Sequence, residues 1–135
     1  MNELKNQYGE NITTLVSGSE SATNAIRSAD LVVGAVLLPG RKPPIVITEE
    51  DINSMEKGSV IVDVAIDQGG CVEGVKPNTH SEPFEIRSGV IVSAIANLPG
   101  AVPRTSSIEL STNLQKYVAV SYTHLRAHET SLHLV

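Results

Sequence analysis

Runs of β-branched and aliphatic residues alternate along this chain with stretches whose apolar positions recur at helical spacing, and turn residues separate them. Leu4 and Tyr8 stand four apart, and Gly9 suits a helix-closing position, so residues 2–8 read as a helix end. Asn11 to Val16 is β-branched and reads as a strand, closed by Ser17-Gly18-Ser19. Glu20 to Ser28 reads as a helix with Ala22, Ala25 and Ile26 inward and an acidic first turn. Asp30 to Val36 is apolar on both sides, the pattern of a parallel strand covered on both faces. A loop rich in Pro and Gly, Leu37 to Pro44, follows.

Thr48-Glu49-Glu50-Asp51 carries a capping-box pattern and predicts a helix running to about Glu56 and stopping at Gly58. Val60 to Ile66 reads as the next strand, ended by Asp67-Gln68-Gly69-Gly70. Phe84 to Ile86 and Val90 to Ile95 form a hairpin across Arg87-Ser88-Gly89, or the second joins the main sheet alone. After the Asn97 to Pro103 loop, Ser106-x-x-Glu109 is a second capping-box pattern. The helix behind it aligns Leu110, Leu114, Tyr117 and Val118. The alternation of strand and helix predicts an α/β fold, the second half of a doubly wound, mainly parallel sheet.

Composition narrows the function. With 135 residues there is room for one small domain, and the chain is 41% apolar, within the globular range. One Phe, three Tyr and no Trp leave few rings for bases to stack on, and a net charge of −5 opposes a phosphate backbone. Nucleic acid is therefore not expected as a partner. The longest apolar run, Leu31 to Leu38, is far short of a membrane span, and the N-terminal region has no secretory pattern. The single cysteine, Cys71, allows no intrachain disulfide, which fits a reducing compartment.

Ligands of open α/β sheets bind off the carboxyl ends of the strands. Those ends fall at Ser17-Gly18, at Val36 to Gly40, at Asp67 to Gly70 and at Asn97 to Gly100, all bearing glycine. A flat ligand with polar edges, such as a nicotinamide nucleotide, suits such a rim. Asp67 either acts as an acid/base group or shapes its own turn. Asn97 either meets a ligand or holds its Pro-Gly loop. Asp63, inside a strand, reads as a buried group bonded to a neighbouring loop, and Cys71 as an inert small hydrophobe. Arg41 and Lys42 read as a solvated loop rather than as phosphate contacts. No Gly-x-Gly-x-x-Gly occurs, so a pyrophosphate cradle is missing from this chain. His124, His128 and His133 cluster near the C-terminus, but His128-Glu129 does not complete a His-Glu-x-x-His motif, and no metal is expected.

Three collinear stretches carry a family resemblance. Val62-Asp63-Val64-Ala65-Ile66-Asp67-Gln68-Gly69-Gly70-Cys71 and Ala96-Asn97-Leu98-Pro99-Gly100-Ala101-Val102-Pro103-Arg104-Thr105-Ser106 resemble alanine dehydrogenase. Ala29 to Gly40 fits the same family at the expected distance. The resemblance covers roughly residues 1–120 and implies the C-terminal part of a Rossmann-like NAD-binding domain. It also implies reversible oxidative deamination of L-alanine to pyruvate and ammonium, in which hydride passes from the α-carbon to the nicotinamide C4 of NAD and water adds to the imine. Carried onto this sequence, Asp67 is the catalytic aspartate beside the nicotinamide. Ser17, Val36, Leu37, Val64, Ala65, Ile66, Asp67, Ile95, Ala96, Asn97 and Leu98 are the cofactor-contacting positions. The family's catalytic lysine and histidine, substrate-binding arginine, glycine-rich loop and ribose-binding acid have no counterpart here. The chain is therefore expected to be a fragment, inactive alone, of a cytoplasmic homohexamer.

The related NAD-binding subunit of proton-translocating transhydrogenase is the alternative; there a Gln-Asn-Gly-Gly-like stretch is expected where Asp67 to Gly70 stand. A non-catalytic interaction fragment is a further alternative. Residues 121–135 depart from the family pattern and resemble translated sequencing-adaptor read-through.

Overall fold

A computed structural model describes residues 2–132, with side chains at 3, 4, 6–115 and 117–120. The histidine group His124, His128 and His133 falls outside the residues whose side chains are described. The chain forms two compact units, residues 1–96 and 97–135.

In the first unit, helix α1 (Asn2–Tyr8) closes at Gly9, whose φ of +62° is costly for a residue with a Cβ. Helix α2 (Glu20–Arg27) follows a turn in which the Ser19 side chain accepts the Ala22 amide at 3.2 Å. Strand β1 (Leu31–Gly34) leads through the proline-rich loop to helix α3 (Glu49–Ser54). The capping box is present: the Thr48 Oγ1 accepts the Asp51 amide at 3.2 Å, and the Asp51 carboxylate accepts the Thr48 amide at 3.1 Å. Strand β2 (Val60–Asp63) is succeeded by strands β3 (Glu85–Arg87) and β4 (Val90–Ser93).

The four-stranded sheet has the order β1-β2-β4-β3. β1, β2 and β4 are parallel, and β3 runs antiparallel to β4. The hairpin expected for the 84–95 region is present; β4 also joins the main sheet, but not alone, since β3 pairs at its edge. Ser88 and Gly89 turn that hairpin with φ of +53° and +88°, the two positive values of a type I′ turn.

The register sorts the side chains onto two faces. Val32, Ile61 and Val92 share one face, where they meet Ile47, Ile52, Met55, Val72 and Val90 in the core. The opposite face carries the row Leu31, Val60, Ile91 and Ile86, and Leu31 and Ile86 are exposed. Coverage on both faces of β1, expected from its composition, is therefore not found: Leu31 and Val33 are each more than half exposed.

Other elements differ from expectation for local reasons. Residues 12–16 make no ladder. Among the described residues no strand stands beside them to complete one. β1 ends at Gly34 and β4 at Ser93, short of Val36 and Ile95. β2 ends at Asp63 because the Asp63 side chain accepts the Ala65 amide at 2.9 Å, which curls Val64–Gln68 into a 3-10 turn. In α2, Ala25 is exposed while Ala22 and Ile26 are half-buried.

The second unit begins with a 3-10 turn, Leu98–Ala101, and continues as helix α4 (Pro103–Leu132). Pro103 opens the helix, where its missing N–H costs nothing. Ser106 is therefore not a cap; its Oγ donates to the Pro99 and Val102 carbonyls. The stripe Leu110, Leu114, Tyr117 and Val118 is exposed. No helix among the described residues is long and apolar enough to cross a membrane.

Candidate functional site

Because β1, β2 and β4 are parallel, their carboxyl ends lie along one border of the sheet. Val36 and Leu37 follow β1, Val64 to Asp67 follow β2, and Ile95 and Ala96 follow β4. A cleft of about 210 Å³ opens between the first two, lined by Ala35, Val36, Leu37, Val64, Ala65 and Gln68. A second depression of about 440 Å³ shares Leu37 and Gln68 with it and extends over Pro39, Gly40 and Arg41. The walls are aliphatic and the polar groups few, the arrangement that accepts a flat ring with hydrogen-bonding edges.

A buried carboxylate builds this border. Asp63 is fully buried, and its two oxygens accept the amides of Ala65, Cys71 and Val72 at 2.9, 2.8 and 3.2 Å. These bonds tie the end of β2 to both limbs of the loop that follows. Gly34 and Gly70 approach this group so closely that a Cβ would lie 2.5 Å from the Cys71 Sγ and 2.9 Å from the Asp63 Oδ2, respectively. Asp63 thus holds the neighbouring loop, as its place in a strand indicated. Cys71 is buried, and its thiol is pushed up from 9.0 to about 11 by burial, then by the Asp63 charge and hydrogen bond. Such a thiol is a poor nucleophile at neutral pH.

Asp67 is exposed, in the 3-10 turn after β2. The Gly69 amide donates to the Ile66 carbonyl at 2.9 Å and the Gly70 amide to the Ala65 carbonyl at 3.1 Å, closing the turn through two positive-φ glycines. Ile66 is buried, so a ligand here meets its backbone rather than its side chain. Ile95 and Ala96 are half-buried; the Asn78 side chain accepts the Ala94 amide at 2.8 Å and fixes the end of β4. Ser17 lies in the turn before α2 and lines neither cleft.

Asn97 and Leu98 belong to the second unit. Asn97 has a φ of +53°, its carbonyl accepts the Gly100 amide at 2.8 Å, and its side chain lies where a Cβ on Gly100 would stand. Within its unit the Asn97 side chain packs on its own Pro-Gly loop.

Gln68, which no sequence motif singles out as a site residue, lines both depressions. Its place between Asp67 and two glycines was the available signal. Among the described residues no cluster of three His, Cys, Asp or Glu is arranged to hold a metal ion.

The family described as alanine dehydrogenase/PNT, C-terminal domain, matches residues 1–131. Alanine dehydrogenase of Lysinibacillus sphaericus is 45% identical over 118 residues, 87% of this chain and 32% of the relative. That of Bacillus subtilis is 49% identical over 112 residues, 82% of this chain and 30% of the relative. The chain spans about a third of the length of these curated relatives. Among solved structures, an L-alanine dehydrogenase superposes with a TM-score of 0.83 at 41% identity, over 96% of this chain and 36% of that one. A transhydrogenase from Sinorhizobium meliloti superposes with a TM-score of 0.73 at 26% identity, over 88% of this chain and 34% of that one. The parallel sheet with its cleft at the strand ends is thus a Rossmann-like nucleotide-binding architecture, and the chain belongs to the alanine dehydrogenase/PNT C-terminal domain family.

Proposed function

We propose that this chain is part of an NAD-dependent alanine dehydrogenase and contributes the nicotinamide side of its cofactor site. The observation that carries the reading is the exposed Asp67 on a glycine-closed turn beside the cleft of Val36, Leu37, Val64 and Ala65. The aliphatic walls and few polar groups fit a nicotinamide ring with its carboxamide edge. When bound, the nicotinamide supplies the hydride acceptor for oxidation of L-alanine to pyruvate and ammonium.

In this reading the chain's own residues do three things. Val36, Leu37, Val64 and Ala65 exclude water from the ring's faces, and Ile66, Ile95 and Ala96 offer mainly backbone groups. By family resemblance Asn97 and Leu98, and Ser17 in the turn before α2, are further cofactor-contacting positions. The Asp67 carboxylate attracts the amino end of the substrate and moves a proton there. Residues 1–120 carry the partial NAD-binding domain, and the family match continues to residue 131. The remaining catalytic groups come from outside this chain, so alone it turns nothing over, and the whole enzyme is a cytoplasmic homohexamer.

The test is a chimera in which the 112 residues of this chain that align with the Bacillus subtilis enzyme replace the matching segment. Alanine-dependent NAD reduction by the chimera, lost by about a hundredfold or more in Asp67→Asn, supports the proposal. A folded chimera that ignores alanine refutes it. The Sinorhizobium meliloti likeness favours a second reading, a nicotinamide-nucleotide transhydrogenase subunit. Hydride exchange between two nicotinamide nucleotides without alanine selects that reading.

A further inference from the structure

The loops after β1 and β2 are zipped together up to a point. The Val46 and Ile47 amides both donate to the Cys71 carbonyl, at 2.8 and 3.2 Å, and the Glu73 amide donates to the Ile47 carbonyl at 2.9 Å. Toward the cleft the zipper meets Pro43 and Pro44, which have no N–H to donate. There a side chain takes over. A Cβ built on Gly69 would lie 3.0 Å from Cγ, 3.2 Å from Cδ and 3.0 Å from Cε of Lys42, so the lysine stem lies along the bare α-carbon of Gly69. Gly69 has a φ of +109°, and its amide closes the turn that carries Asp67. Pro43 is buried and fixes the backbone from which Lys42 extends.

We infer that Lys42 is a positioning residue for the Asp67–Gly70 turn, acting through its methylene stem seated on Gly69. Lysine is suited to this place because four methylenes cover apolar backbone while the ammonium stays in water. Ordering the turn reduces the freedom it must lose when a ligand settles against it. The inference takes from the proposed function only that this turn borders a nicotinamide nucleotide.

Two variants of the 135-residue chain separate stem from charge. Lys42→Ala removes the stem, and Lys42→Met keeps its length and shape without the ammonium. Residue-resolved hydrogen exchange by NMR is the first readout. In Lys42→Ala the Gly69 and Gly70 amides exchange about tenfold faster, those of Ile61 and Val92 stay unchanged, and Lys42→Met restores protection. The second readout is NADH titration of the same variants placed in the Bacillus subtilis chimera, which supplies the rest of the cofactor site; there Lys42→Ala weakens binding about tenfold and Lys42→Met does not.

Unchanged exchange at Gly69 and Gly70 in Lys42→Ala overturns the inference. So does a Lys42→Met chain that behaves like Lys42→Ala, because the charge would then act rather than the stem. A wild-type chimera that binds no NADH, while the exchange pattern holds, upholds the positioning role and counts against the cofactor reading instead.

Discussion

The Asp63 carboxylate and the Cys71 backbone amide meet at 2.8 Å with both residues fully buried, eight positions apart in sequence. That bond joins the end of β2 to the far limb of the turn carrying Asp67. The same carboxylate also accepts the Ala65 and Val72 amides, so three donors depend on one side chain.

Asp63→Asn is expected to destabilise the chain by about 2–4 kcal/mol, because the amide group turns a donor toward backbone donors and leaves at least one unsatisfied. Urea unfolding measures it. A loss under about 0.5 kcal/mol would show that water or rearrangement satisfies these amides instead.

Gly34 exists for space rather than for backbone freedom. Its added Cβ would stand 2.5 Å from the Cys71 Sγ, so Gly34→Ala is expected to cost about 1–3 kcal/mol. In a Cys71→Ala background the same substitution costs clearly less, because the clashing sulfur is gone. A double-mutant cycle reads the coupling, and additive costs refute the contact.

Alkaline pH tests the Cys71 setting. Its thiol titrates at about 11 in the folded chain against 9.0 when free, so the folded chain holds the proton longer than the unfolded one. The stabilisation from this group is whole below about pH 9 and is lost as pH rises through about 11. Unfolding free energy measured across that window should fall less steeply in Cys71→Ala. Native Cys71 should also react with a thiol reagent at pH 8 about a hundredfold more slowly than in denaturant. Equal rates in the two conditions would mean an accessible, activated sulfur.

The open sheet face is testable by dye binding. Leu31 and Val33 are 57% and 56% exposed, and Leu31 shares a register row with Val60, Ile91 and Ile86. Leu31→Lys combined with Val33→Thr is expected to cut fluorescence of a hydrophobic dye severalfold while stability changes by about 0.5 kcal/mol or less per site. A large loss of stability would show that this face is packed.

Much of the fold was legible because it rests on short-range rules. The Thr48–Asp51 capping box, the Gly9 closure and the Ser88-Gly89 hairpin are set by neighbours within four residues. The family stretches around Asp67 and Asn97 were legible for the same reason, since glycine and proline punctuate them. Less visible were the features that depend on what stands across the sheet. Val64 to Ile66 look like strand by composition, yet Asp63 curls them, and only the positions of Ala65, Cys71 and Val72 show why. Residues 12–16 have strand chemistry without a neighbour to complete a ladder.

By itself the sequence determined the α/β class, the order of elements from α2 onward and the glycine-bearing loops at the strand ends, because periodicity, caps and turn residues act along the chain. Tertiary structure alone decided which three amides Asp63 holds, that Lys42 lies on Gly69, and that Leu31 and Val33 are exposed. Those outcomes depend on contacts between segments brought together by strand pairing, and no local pattern encodes the distance between them.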